Sequence, residues 1–214
     1  MLIPVFAAAH NLSGANAHFV EGLEGPAVIP YMYLGAKHMV TGYDHLLYLV
    51  GVVFFLLRLK DVILYVSLFT LGHSITLLGG VLLEWNVNVY LIDAIIGLSV
   101  AYKAFENING FKQVFGFALN ARVAVLIFGL FHGLGLATKL QGLSLSADSL
   151  VTNMLSFNVG VEIGQALALA CIVVILGQWR QRNSFKKQAF AANTVLMSLG
   201  FMLAGYQFSA YLLV

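Results

Sequence analysis

Charge is what this sequence has least of. Asp, Glu, Lys and Arg make up 9% of its 214 residues while 60% are hydrophobic, against roughly 25% charged and 45–50% apolar in a soluble globular domain. Water is therefore not its main solvent. Thiols are equally scarce: Cys171 is the single cysteine, which excludes an internal disulfide and a thiolate metal cluster. The net charge of +2, with basic residues scattered singly or in short groups, excludes a nucleic-acid surface. No nucleotide-binding motif is present, so no ATPase is built into the chain. Neither H-E-x-x-H nor a paired H-x-x-x-H string occurs, which counts against a metalloprotease.

What is present is a succession of apolar runs. Each run of about 20 residues is long enough to cross a hydrocarbon core of roughly 30 Å. Six spans are expected, at Tyr33 to Leu57, Val62 to Leu83, Val87 to Asn107, Val123 to Thr138, Val151 to Gln178 and Ala189 to Leu212. The fold class expected is all-α, a polytopic transmembrane bundle. Residues 33–214 form one transmembrane domain, preceded by an outer segment, 1–32. Met1 to Ala9 is only weakly signal-like, since no Lys or Arg precedes its apolar part.

Orientation follows the positive-inside bias. Arg58 and Lys60, then Lys103, Lys112 and Arg122, then Arg180, Arg182, Lys186 and Lys187 fall on one side, and Lys37 and Lys139 on the other. Both termini are accordingly expected on the outer side. Gly129 and Gly133, like Gly160 and Gly164, have the Gly-x-x-x-Gly spacing that lets helices approach closely in lipid, and packing is the favoured role for all four.

Against this apolar background, ionisable groups inside the spans stand out, because each costs about 2.5–3.5 kcal/mol at the bilayer centre on insertion scales. The first span carries His38, Asp44 and His45 in KHMVTGYDHLLYL, the second His73 in FTLGHSITL, and the third Asp93 and Glu106. The fourth carries His132 in GLFHGLG and the fifth Glu162 in FNVGVEIGQ. Counted inward from the outer ends of their spans, Asp44, His45, His73, His132 and Glu162 fall roughly 9–18 Å below the outer surface. A lone intramembrane histidine is as readily explained by an interhelical hydrogen bond. Several converging at one depth favour a metal or proton site, and imidazole with carboxylate suits nickel, zinc, cobalt or copper(II).

His38 and His45 lie two turns apart on one helix face, roughly 10 Å along the axis, so a regular helix cannot place both on one ion. Gly42 between them could unwind the segment, or the two could be successive stations on a path. Thr70 and Ser74 lie within a turn of His73 and are expected to orient its ring. Asn158, Glu162 and Gln165 follow i, i+4, i+7 spacing, a polar stripe expected to face the bundle interior or water. Asp93 is a candidate pathway residue. Glu106 is expected to pair with Lys103 and to be structural. His10 and His18, beside Glu21 and Glu24, read either as cation collectors at an outer mouth or as a solvated polar segment.

The order His38, Asp44, His45, then FTLGHSITL, SVAYKAFEN, GLFHGLGLA and FNVGVEIGQ resembles the HupE/UreJ family of bacterial membrane proteins, over about Leu34 to Gln165. The resemblance implies a small permease of the bacterial inner membrane for nickel or a similar divalent metal, linked to hydrogenase or urease maturation. It points to His38, Asp44 and His45 as metal-path residues, with His73, His132 and Glu162 at matching positions. The function expected is therefore secondary transport rather than enzymatic catalysis. The expected partners are the lipid bilayer and a divalent metal ion (nickel, with cobalt, zinc, copper or iron as alternatives), and a homo-oligomer is compatible. Two other readings compete. One is an intramembrane zinc hydrolase with His45, His73 and His132 as ligands and Glu162 or Asp44 as base. The other is an accessory subunit whose polar cluster only fixes helix packing. Six histidines, two of them before the first span, are too few for a di-iron desaturase.

Overall fold

The structure is a computed structural model that describes residues 25–141 and 149–213. The signal-like segment and the residues His10, His18, Glu21 and Glu24 lie outside that range. Every described element is helical. In chain order these are α1 (Val28–Thr41), α2 (Tyr43–Val53), α3 (Leu59–Leu82), α4 (Val89–Asn107), α5 (Gly110–Phe115), α6 (Ala121–Gln141), α7 (Leu150–Arg180) and α8 (Phe185–Leu213). The segments of the last five expected spans are the single helices α3, α4, α6, α7 and α8, with ends shifted by a few residues, and α4 falls short of the combined length and apolarity that mark a crossing helix. The first returns in two pieces, and it begins at Val28 rather than Tyr33.

Among the described residues four helices, α3, α6, α7 and α8, are long and apolar enough to cross a membrane. Their outer faces carry bare aliphatic side chains, with Leu167 61% exposed, Ile175 65% and Met202 66%. A water-soluble chain does not expose such a continuous apolar surface, whereas lipid accommodates it. The protein is a helical membrane protein. Polar side chains mark where helices begin: the Asn88 carboxamide accepts from the N–H groups of Tyr90 and Leu91 at the start of α4, and Asn120 accepts from Arg122 and Val123 at the start of α6. Each satisfies amides that the first turn leaves without an intrahelical partner.

Lipid cannot drive helices together by the hydrophobic effect, so close approach of backbones must do it. Three helix pairs show this. In α1 and α7, a Cβ at Gly160 would strike the Met32 carbonyl, one at Gly35 the Phe157 carbonyl, and one at Gly164 would lie 2.6 Å from the Ala36 carbonyl. In α3 and α6, a Cβ at Gly129 would strike the Phe69 carbonyl and one at Gly133 the His73 carbonyl. Thr76 Oγ1 also donates across that pair to the Leu130 carbonyl at 2.6 Å. In α4 and α8, Gly97 packs on Ala204 and Gly200 on Ala101. The two Gly-x-x-x-Gly strings thus pack as the spacing predicts.

The short helix α2 lies among these pairs and is fastened by polar groups at its C-terminal end. The Arg180 guanidinium, at the end of α7, donates to the carbonyls of Val53, Phe54 and Leu56. Asn107, at the end of α4, donates to the Gly51 carbonyl at 2.8 Å and to Asn193 of α8 at 2.9 Å. Carbonyls that a helix end would otherwise bury unsatisfied are thereby capped. The opposite end of α2 carries Asp44 and His45 into the middle of the bundle.

Candidate metal centre

The chain leaves helical geometry at Gly42, whose backbone is extended (φ −73°, ψ 103°), and re-enters it at Tyr43. That break brings His38 and His45 side by side, with ring centroids 5.1 Å apart. His45 is the hub of the cluster: its ring also lies 5.1 Å from that of His132 and 5.9 Å from that of His73. Four helices, α1, α2, α3 and α6, thus contribute one imidazole each. All four histidines are buried, and His45, His73 and His132 are each 1% exposed.

Hydrogen bonds preset two of these rings. The Asp44 carboxylate lies 3.2 Å from His45 Nδ1, and the Phe128 carbonyl lies 2.7 Å from His132 Nδ1. A carbonyl or carboxylate oxygen only accepts, so in both cases Nδ1 is the donor, which leaves Nε2 as the nitrogen that a neutral ring offers to a metal. A carboxylate or carbonyl behind an imidazole is the arrangement that orients metal-binding histidines. His73 differs: neither of its ring nitrogens has a hydrogen-bond partner among the described residues. The walls around the cluster are aromatic, with Phe69 4.9 Å from His132, Phe157 6.2 Å from His38 and Tyr48 5.3 Å from His132 between ring centroids.

Several expected roles are not met. Thr70 and Ser74 do not orient His73. Thr70 accepts from Gln165 at 2.9 Å and Ser74 donates to Asn158 at 3.0 Å, so both hydroxyls stitch α3 to α7. Asn158 and Gln165 do face inward and are buried, but Glu162 between them is exposed on the outer side of α7 and is not gathered into the cluster. On a helical wheel it stands about 60° from Gln165, enough to leave the buried face. Asp93 is tied elsewhere, accepting from Lys139 at 2.7 and 3.0 Å and from Gln207 at 3.4 Å. Glu106 pairs with Lys103 at 2.8 Å, as the spacing predicts.

Sequence reasoning passed over Tyr48 and Phe69 as cluster walls and Arg180 as a cap. Tyr48 stands one turn from His45 in the same string, the only local signal for it. Lys139 lies 46 positions from Asp93, so no local spacing marks that pair.

A buried quartet of imidazoles with one carboxylate thus lies inside a helical membrane protein. The chain belongs to the HupE / UreJ protein family, whose family model matches residues 3–214. That family is associated with nickel or cobalt transport or with metalloenzyme maturation. No curated protein and no solved structure matches the chain.

Proposed function

We propose that the protein is a secondary permease that moves a divalent transition metal ion, nickel first among the candidates, across the bacterial cytoplasmic membrane through the histidine cluster. The observation that carries this reading is the spacing of the rings around His45. A metal sits about 2 Å from an imidazole nitrogen, so two rings sharing one ion in tetrahedral geometry have centroids about 5 Å apart. Separations of 5.1, 5.1 and 5.9 Å lie near that value.

Among the described residues, no group of three or more His, Cys, Asp or Glu is already placed to hold a metal ion. Capture then requires the rings to turn about their side-chain bonds toward a common centre. That suits cargo better than a resident ion, because a path must bind well enough to admit an ion and loosely enough to release it. Nitrogen and oxygen donors without thiolate favour nickel, cobalt or zinc over copper(I), and the exposed Cys171 stands apart from the site.

In this reading the chain crosses the membrane six times, the first crossing being α1 and α2 together, with both termini outside. The helix directions support it. Gly160 meets Met32 and Gly164 meets Ala36, so α1 and α7 run parallel, as do α3 and α6. The Gly97–Ala204 and Gly200–Ala101 contacts make α4 and α8 antiparallel. Alternating crossings require those three relations.

The test is uptake of Ni2+, Co2+ and Zn2+ by cells carrying the wild type, His45→Ala or Asp44→Ala, with membrane abundance measured alongside. Both variants are expected to lose uptake at undiminished abundance. Normal uptake in both refutes the permease.

A further inference from the structure

Below His45 on α2, toward the end fastened by Arg180 and Asn107, stands Tyr48. It is 0% exposed, and its hydroxyl has no hydrogen-bond partner among the described residues. Buried hydroxyls are nearly always satisfied, and the lipid around a helix bundle offers them no partner. If the position served only for packing, phenylalanine would fill it without a hydroxyl to satisfy. The neighbours are themselves apolar rings, with Phe69 at 5.2 Å and Phe128 at 5.9 Å between centroids.

A second such hydroxyl lies further along. Tyr102 of α4 also has a buried oxygen without a partner among the described residues, and its ring lies 5.0 Å from the same Phe128. Phe128 therefore touches both tyrosine rings, while its carbonyl holds Nδ1 of His132. One turn beyond Tyr102, the Glu106 carboxylate is paired with Lys103 near the end of α4. Ring contacts thus run from the imidazole of His132 to Tyr48, from Tyr48 to Phe128 and from Phe128 to Tyr102, and Glu106 stands one turn further along α4.

We propose that Tyr48 and Tyr102 supply phenol oxygens to a divalent cation between the histidine cluster and Glu106, beside the Phe128 ring that both phenol rings touch. The inference rests on the permease reading and deepens it. Neutral phenol oxygens can replace part of a cation's water shell without holding it as tightly as imidazole does, which is what an ion leaving the cluster needs. No covalent or redox step is involved. Because the Phe128 carbonyl fixes His132, a turn of the His132 ring toward an ion disturbs the residue that both phenol rings touch.

The experiment uses the full-length protein, purified and reconstituted into phosphatidylethanolamine and phosphatidylglycerol vesicles, with Ni2+ alone as the probe. Equilibrium binding and the rate of entry onto an entrapped dye are measured for the wild type, Tyr48→Phe, Tyr102→Phe and the exposed control Tyr33→Phe. The expected result is a binding constant within twofold of wild type in all three variants. Entry is expected to be at least tenfold slower in Tyr48→Phe and Tyr102→Phe and unchanged in Tyr33→Phe, with thermal midpoints no lower than wild type. Entry at the wild-type rate in both tyrosine variants overturns this role of the phenols while leaving the permease standing, and so does weakened binding in step with slowed entry, which would make the phenols part of the first site. A wild type that neither binds nor admits Ni2+, Co2+ or Zn2+ overturns both. Should Tyr48→Phe fail to fold, Tyr102→Phe on a different helix decides alone.

Discussion

His38 and His45 stand seven positions apart in the chain, yet their rings are 5.1 Å apart because the backbone is extended at Gly42. An unbroken helix would separate them by roughly 10 Å along its axis. Gly42 is also crowded: a Cβ there would lie 3.0 Å from His45 Nδ1, 3.1 Å from the His38 carbonyl and 3.3 Å from Asp44 Oδ1. Alanine both presses on this cluster and favours the helix that the break interrupts. Gly42→Ala is therefore expected to weaken Ni2+ binding by about tenfold or more, the scale seen when groups that orient metal ligands are disturbed. A metal titration of the purified variant measures it, and unchanged affinity would show that the break is not what assembles the site.

The crossing of α3 and α6 sets the distance between His73 and His132. At Gly133 an added side chain runs into the His73 carbonyl and Thr76, both of which belong to a packed helix. Gly133→Val is expected to destabilise the protein by about 1–3 kcal/mol, the range for overpacking, and to lower metal affinity with it. Gly177 and Gly205, where nothing lies within 4 Å, supply the controls. Thermal unfolding in detergent should leave Gly177→Ala and Gly205→Ala at or above the wild-type midpoint.

Asp93 and Lys139 form a buried pair joining α4 to α6, with side chains 7% and 18% exposed. Removing one partner strands the other charge. Asp93→Leu alone is expected to cost about 3 kcal/mol, the lower end of the range for buried pairs, because Lys139 keeps some exposure. Replacing both, as Asp93→Leu with Lys139→Met, should recover most of that loss. Equal destabilisation of the single and double variants in a denaturation series would show that the pair does not act as a unit.

Glu162 offers a sharper contrast between sequence and structure. Since it is exposed on α7 and His73 is inside the cluster, Glu162→Gln should leave the Ni2+ dissociation constant within about twofold of wild type, while His73→Ala raises it by about tenfold or more. The reverse order of effects would move the site to the outer face of α7.

The apolar runs were readable as helices because lipid-crossing segments declare themselves by length and composition. The break at Gly42 was also within reach, since helix geometry alone forbids His38 and His45 from meeting on a straight rod. What escaped was anything settled by a partner distant in the chain. Thr70 and Ser74 sit within a turn of His73, but a hydroxyl bonds whichever polar group faces it, and Gln165 and Asn158 on α7 do. Gly97 with Ala101 and Gly200 with Ala204 form Gly-x-x-x-Ala strings, which mark a close-packing face without saying which helix it meets, and each packs on the other. Spacing near i, i+4 placed Glu162 with its neighbours, yet the boundary between buried and exposed faces of α7 passes between Glu162 and Gln165.

The orientation of α2 carries one more consequence. Its first turn faces the imidazoles, and the amino end of a helix bears roughly half a positive elementary charge, which repels a cation. Asp44, in that same turn, supplies the opposing negative charge. The half charge offsets only part of the carboxylate's full one, and the carbonyl end of α1, which stops at Thr41 beside it, adds to the negative side. In the permease reading, a negative end fixed on the same short helix as His45 draws a cation toward the lone pairs of the rings, and turning of the rings lets it go.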